Sequence, residues 1–326
     1  MKLATLKDGS RDGTLAVVSR DLSKMAPASA VARTLQIALE KWVDAAPRLE
    51  QLFEAVNAGT ADGMRDYDPE ALESPLPRTY QFIDGSAYLH HVELFRKARG
   101  AQFPPKLREE PLMYQAVSDG FLRPTGTIPV ADVDSGVDME AEVGVIVDDV
   151  PMGVTADAAT QHIKLFVLIN DISLRALIPD ELNNGLGYFH GKPRSSLSPV
   201  AVTPEELGDA WDGHRVNLDI LVKLNQAPIG MLNCGVDMDF DFPQLIAHAT
   251  KTRPLCAGTL IGSGAISNRD PGTGVACLAE LRIVQLIDEK REKTSFMQFG
   301  DRATIEIFDA GNQSVFGAID QEVIQA

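Results

Sequence analysis

Four short β-branched runs constrain the fold of this chain more than any other feature. Glu142-Val143-Gly144-Val145-Ile146-Val147 closes on Asp148-Asp149, and His162 to Ile169 is a second run. Val216 to Leu224 alternates and is turned by Asn225-Gln226-Ala227-Pro228. Ala303 to Phe308 alternates before Asp309-Ala310-Gly311-Asn312. Runs of this length bounded by turn residues read as strands. No regular βαβ alternation accompanies them and no GxGxxG opens a helix, which disfavours a nucleotide-binding doubly wound sheet. The pattern predicts a mixed α/β, predominantly β architecture, a sandwich or roll. Two short helices are expected within it. Thr203-Pro204-Glu205-Glu206 has the form of a capping box and opens a helix ending near Trp211; the other runs from Phe242 to Lys251.

The first 79 residues have a different texture. Lys2 to Leu6 and Thr14 to Val18 flank Asp8-Gly9, a hairpin signal. Val31, Leu35, Ile37, Ala38, Leu39 and Trp42 have helical spacing within Ala30 to Val43. A second helix is expected from Pro47 to a stop near Gly59. A polar, proline-rich stretch ending at Ser74-Pro75-Leu76-Pro77-Arg78 favours an extended linker. The expected division is a small N-terminal α/β domain, 1–79, and a larger β-rich domain, 80–326.

The chain carries a formal net charge of −16. That surplus argues against a nucleic-acid partner, which needs clustered Lys and Arg. Cys234, Cys256 and Cys277 form no CxxC pair and no disulfide framework, so they read as buried thiols in a reducing compartment. The N-terminus has no apolar signal core and no run approaches membrane-spanning length. A cytoplasmic protein without a membrane partner is expected.

Chemistry enters with the acids. Glu140 and Glu142 open a strand, and residues two apart on a strand share a face. Two like charges there repel unless both face water or a cation lies between them. Asp171 follows the apolar run Phe166 to Asn170, and a carboxylate ending a buried strand is costly unless paired or metal-bound. Capping or turn formation would also account for it. Asp84 follows Tyr80 to Ile83 and precedes Gly85-Ser86, as a turn residue would. Together these carboxylates offer the oxygen shell that Mg²⁺, Ca²⁺ or Mn²⁺ prefers.

The order of several motifs resembles the fumarylacetoacetate hydrolase family. Asp84 to His91 (DGSAYLHH), Glu140-Ala141-Glu142, and Asn170 to Arg175 (NDISLR) occur in the family's sequence. So do Gly191-Lys192 with Ser195 to Pro199, then Gly258 to Gly264, then Phe299-Gly300-Asp301. The resemblance covers roughly residues 80 to 320. It implies a β-roll catalytic domain, a homodimer formed through that domain, and one divalent metal held by Asp84, Glu140, Glu142 and Asp171. It implies Mg²⁺ as the first choice, with Ca²⁺ or Mn²⁺ as alternatives. The histidine seven residues after the first ligand, His91, would act in catalysis; an imidazole can activate water near neutral pH. His90 is its adjacent competitor, facing the other way on extended backbone. Lys192 resembles the lysine that neutralises charge developing on the substrate. Tyr114, Ser195 and Ser196 resemble substrate contacts.

The implied reaction is hydrolysis of a carbon–carbon bond in fumarylacetoacetate or a related acylpyruvate, a small keto acid of aromatic-compound catabolism. The sequence departs from the pattern in two places. Fumarylacetoacetases proper carry a glutamine two turns after the third-strand aspartate, and Leu174 to Asp180 (LRALIPD) has none. The hydrolases also use a glutamate that orients the histidine. The loop after Gly264 offers only Asp270, while Glu109 and Glu110 follow His91. The Asn- and Gly-rich segment Pro179 to Phe189 reads as a mobile lid or an ordinary surface loop. Two other readings share these residues: oxaloacetate decarboxylation or keto–enol tautomerism at the same metal, and a catalytically silent binding protein on the same fold.

Overall fold

The strand at Ile163–Asn170 is apolar along almost its whole length because both of its faces are covered. In the computed structural model, which describes residues 1–326, Leu165, Val167 and Ile169 pack into one core with Leu35, Leu39, Leu49 and Phe53. The residues between them, Phe166 and Leu168, belong to a second, larger core on the other face. The molecule is therefore three-layered: a helical pair, a large central sheet and a smaller sheet.

Counting strands of three residues or more, the chain runs β1 (Lys2–Leu6), β2 (Thr14–Val18), β3 (Lys24–Pro27), β4 (Phe82–Gly85), β5 (Met113–Ala116), β6 (Thr125–Val130), β7 (Ala141–Val147) and β8 (Ile163–Asn170). It continues through β9 (Asp219–Leu224), β10 (Ala227–Asn233), β11 (Leu260–Gly262), β12 (Arg302–Ile307) and β13 (Ile319–Gln325). The longer helices are α1 (Leu35–Glu40), α2 (Trp42–Asn57), α3 (Leu89–Ala98), α4 (Ile178–Asn183), α5 (Phe242–Ala249) and α6 (Leu278–Glu289).

The central sheet has the order β3-β2-β1, the short pair Ala201–Val202, then β8-β7-β11-β4-β5. Its strands from residues 1–79 are thus hydrogen-bonded into the same sheet as the rest, through Lys2 opposite Val202. The smaller sheet, β10-β9-β12-β13-β6, is mostly antiparallel, with β13 and β6 parallel. β9 and β10 are joined through Asn225 and Gln226, both at positive φ, as a tight hairpin turn requires.

Several local expectations change. The helix expected over 30–43 is interrupted at Lys41, whose φ of −129° ends α1. α2 then begins at Trp42, so Pro47 lies inside it rather than at its start. A proline there leaves the Val43 carbonyl without its helical partner, and Val43 is 88% exposed, where water can supply one. The stretch before residue 79 is less of a linker than its prolines suggest, since Leu72 and Leu76 are fully buried. Thr203 makes no capping bond to its helix; its Oγ1 instead accepts from the Met1 amine at 2.8 Å. The capping box forms at α5, between Asp241 and Gln244. The segment expected as a lid or loop over 179–189 is helical at its start, as α4. α3 and α6 have no counterpart in the sequence pattern described above, and they carry the most informative residues of the site. No helix is long and apolar enough to cross a membrane.

Candidate metal centre and active site

Strand parity gathers the acids. Asp84 lies two residues beyond Phe82, Asp171 two beyond Ile169, and Glu142 four before Ile146. Phe82, Ile146 and Ile169 all face the core beneath α1 and α2. The period of two therefore places the three acids on the same face of three neighbouring parts of the sheet. Their carboxylate oxygens lie within 4.8 Å of one another, and all three residues are buried. β11 runs between β4 and β7, with Gly262 level with Asp84 on one side and Gly144 on the other. A Cβ at Gly262 would collide with Asp84 Oδ1 and Glu142 Oε2. The glycine is what lets the two carboxylates turn into one space. The Gly264 N–H donates to both, at 3.2 Å each.

This much negative charge out of water is unfavourable. Burial and the neighbouring Asp171 charge push the Asp84 carboxyl up to about 8. Burial and the neighbouring Asp84 and Asp171 charges raise Glu142 well above the usual range. Glu142 Oε1 is buried without any hydrogen-bond partner. Three convergent carboxylates, one with an orphaned oxygen, fit a hard divalent cation, which takes oxygen ligands and removes the repulsion.

Glu140, the fourth expected ligand, stands apart from this close set. It lies one residue before β7, and its carboxylate is engaged by cations. Arg175 Nη2 donates to it at 2.6 Å, Lys192 Nζ also donates to it, and Ser173 Oγ does so at 3.2 Å. Burial works to raise its carboxyl, but Arg175 and Lys192 outweigh that and hold it below the usual carboxylate range. Lys192 also reaches Asp171 Oδ2 at 2.5 Å. Burial opposes its charge, yet Asp171 and Glu140 keep the ammonium charged. Tyr114 donates to Asp171 Oδ2 at 2.8 Å and Ser195 to Asp171 Oδ1 at 2.6 Å. Asp171 is thereby fixed by three donors.

A cavity of about 320 Å³ opens beside the cluster, lined among others by Asp84, His91, Tyr114, Glu140, Arg175 and Lys192. That volume suits a small molecule. Across the cavity, α3 presents His91, and His91 Nδ1 lies 2.5 Å from Glu280 Oε2. The two residues are 189 positions apart in sequence. Glu280 sits in the first turn of α6, where the helix N-terminus favours an anion. An imidazole paired this way keeps its proton on Nδ1 and leaves Nε2 as the lone-pair nitrogen.

Residues 81–324 match the fumarylacetoacetate hydrolase C-terminal model, and residues 1–78 match fumarylacetoacetase N-terminal domain 2. The chain belongs to the fumarylacetoacetate hydrolase family. Among curated relatives of this family member, a 2,4-didehydro-3-deoxy-L-rhamnonate hydrolase of Sphingomonas sp. (strain SKA58) is 24% identical over 302 residues. That alignment covers 90% of this chain and 86% of the relative. An oxaloacetate tautomerase of Bacillus subtilis (strain 168) is 22% identical over 236 residues, 72% of this chain and 74% of the relative. The fold is shared with a maleylpyruvate hydrolase of Sphingobium sp. SYK-6 in complex with manganese(II) and pyruvate. That structure is 18% identical, with a TM-score of 0.63 and both chains covered in full. The chain is thus a member of a family of hydrolases and isomerases.

The family context makes the remaining placements informative. The carboxylate that meets the His91 ring is Glu280, beyond the loop after Gly264. Glu110 instead pairs with Lys251 on the surface, and Asp270 caps a short turn. The spacing of Leu278, Leu281 and Val284 was a readable helix signal for α6. His90 and His91 sit on a helix and not on extended backbone, and both turn toward the same neighbourhood. Neither Ser195 nor Ser196 is among the residues lining the cavity, and the Ser196 Oγ donates to Gln321 Oε1 in the core. Ser195 is committed to Asp171. Ile178 lines the cavity in the segment that lacks the glutamine. Arg175, unassigned by sequence reasoning, both lines the cavity and binds Glu140.

Proposed function

We propose that this protein hydrolyses a carbon–carbon bond in a 1,3-diketone bearing a carboxylate, fumarylacetoacetate or a related acylpyruvate. The observation that carries the reading is the His91–Glu280 pair facing the carboxylate cluster across one small cavity. Hydrolysis needs a group that activates water, and decarboxylation or tautomerism does not. The rhamnonate hydrolase relative supports a hydrolytic reaction on a dicarbonyl acid.

A single divalent cation, Mg²⁺ first and Mn²⁺ or Ca²⁺ next, would be held by Asp84, Glu142 and Asp171, and would polarise the substrate's carbonyl oxygens as a Lewis acid. His91 Nε2 takes a proton from water while Glu280 stabilises the resulting imidazolium through Nδ1–H. The hydroxide oxygen adds to the distal carbonyl carbon. The bond to the central carbon breaks and its electron pair becomes an enolate. Lys192 and Arg175, both at the cavity wall, bring positive charge to that enolate. Proton return from the imidazolium to the enolate carbon releases the second acid. Tyr114 and Ser195 hold Asp171 in place.

The test is a screen of purified, metal-loaded protein against fumarylacetoacetate, acylpyruvates and oxaloacetate, following enol absorbance and identifying products. Loss of a diketo-acid enol with two acid products is expected. A pyruvate product without acetoacetate would remove fumarylacetoacetate as the substrate. No cleavage of any diketo acid would sink the hydrolytic reading. The oxaloacetate tautomerase relative favours a second reading, enol–keto conversion at the same site. Product identity separates them, since tautomerism leaves one isomeric acid and no cleavage; against decarboxylation the test is His91→Ala, which should abolish hydrolysis and spare loss of CO₂.

A further inference from the structure

Glu280 is shared by two histidines, only one of which lines the cavity. Its Oε2 meets His91 Nδ1 at 2.5 Å. Its Oε1 accepts from Ser267 Oγ at 2.9 Å. Ser267 Oγ lies 2.9 Å from His90 Nδ1, the one hydrogen-bond contact of the His90 ring. Ser267 is fully buried and Glu280 nearly so. His90 is not among the residues lining the cavity.

The number of protons gives this string a direction. An ionised carboxylate only accepts, so both Ser267 and His91 must donate to Glu280. A hydroxyl has one proton. Once Ser267 gives it to Glu280, its Oγ can only accept from His90, which must carry hydrogen on Nδ1. The chain therefore reads His90 Nδ1–H to Ser267 Oγ–H to Glu280, with His91 Nδ1–H entering Glu280 from the other side. With Oε1 occupied by Ser267, the carboxylate cannot rotate without breaking a buried bond, and Oε2 stays on His91.

We propose that Ser267 and His90 are positioning residues for His91, a directed hydrogen-bond chain that locks the Glu280 carboxylate and so holds His91 with its proton on Nδ1 and Nε2 open. This deepens the hydrolytic reading and rests on it for the role of His91. The charges around His90 come from several elements: Glu280 from α6, Arg269 and Asp237 from adjoining loops, and Glu93 from its own helix. Arg269 and Glu93 pair with each other at 2.8 Å, which leaves the His90 ring to Ser267. Burial lowers its basicity, in keeping with a neutral donor.

The experiment combines ¹⁵N imidazole shifts of His91 with steady-state kinetics for wild type, Ser267→Ala, His90→Leu and His90→Asn. Wild type should show His91 as the single Nδ1–H tautomer. Ser267→Ala and His90→Leu should show a tautomer mixture, with kcat down about tenfold and KM within about twofold, the usual scale for losing a partner behind a working group. His90→Asn places an amide N–H near the lost Nδ1–H and should restore both the tautomer and kcat. An unchanged tautomer in Ser267→Ala overturns the proposal, as does His90→Asn behaving like His90→Leu. The tautomer is read without substrate. A wild type inactive on every diketo acid but showing the expected tautomer changes would overturn the functional reading and uphold the positioning chain.

Discussion

Gly262 lies level with Asp84 in the parallel pair of β11 and β4, and its missing Cβ is the space the Asp84 and Glu142 carboxylates share. Gly262→Ala should therefore damage the cation site while leaving the sheet register intact. We expect divalent-ion affinity measured by calorimetry to fall about 10–100-fold, the scale seen when groups supporting metal ligands are disturbed. An unchanged affinity would show that the acids do not bind where they converge.

The metal-free protein should become less stable as pH rises. Asp84 stands at about 8 in the folded chain against 3.8 for the ordinary side chain. A carboxyl raised by folding contributes stability that is fully present below its unfolded value and lost as pH climbs through its folded value. Melting temperatures taken from about pH 4 to about pH 9 with chelator should fall across that window. Saturating Mg²⁺ or Mn²⁺ should flatten the fall, since a bound cation replaces the proton. A gap between the two curves that does not widen with pH would contradict this.

Glu280→Gln preserves shape and removes the charge that steadies an imidazolium on His91. Its kcat for diketo-acid hydrolysis should drop by about 10²–10⁴-fold, the range assigned to general acid–base catalysis. Loss of CO₂ from oxaloacetate, which needs no activated water, should change far less. Equal loss of both would mean that the pair serves binding or folding and not water activation.

Glu181 gathers the segment after α4. Its carboxylate accepts from the N–H groups of Phe189 at 3.0 Å, His190 at 2.5 Å and Gly191 at 3.0 Å. That segment carries Tyr188, which stacks edge-on against Tyr114 at 4.8 Å in the cavity wall. Leu186 and Phe189 on the same segment are 99% and 78% exposed. Glu181→Ala should speed proteolytic cutting between Asn183 and His190 by about tenfold, the equivalent of one or two net hydrogen bonds. KM should rise with kcat little altered. An unchanged cutting rate would remove Glu181 as the anchor.

The legible part of the site was the part with a period. Glu140 and Glu142 two apart, and Asp171 at the end of an apolar run, could be placed from strand geometry joined to the family resemblance. Asp84 could be placed from the resemblance with support from its strand-end position. What strand periodicity cannot carry is a partner chosen by tertiary packing. Glu280 reaches His91 only because α6 packs against α3, a contact between segments far apart in sequence. Glu140 lies outside the close set with Arg175 and Lys192 on its carboxylate, and those side chains arrive from two other segments, which periodicity does not show. Ser195 and Ser196 were indistinguishable in sequence because neighbouring residues point opposite ways; the fold sends one to Asp171 and the other to Gln321. In the fold, the first hairpin and strands β7, β8, β9 and β12 were clear, whereas β6, β10 and β13 were not, and Ala227-Pro228, expected in a turn, open β10; Lys41 and Pro47 show how one backbone angle moves a helix start.

The shared sheet has a consequence for how the molecule comes apart. β1 is bonded to Val202, and the face of β8 carrying Leu165, Val167 and Ile169 is roofed by α1 and α2. Cutting the chain near residue 79 and lifting away the first part would strip that roof and bare an apolar strand face beside the carboxylates. The two matched stretches thus share one core, and both should melt in one transition.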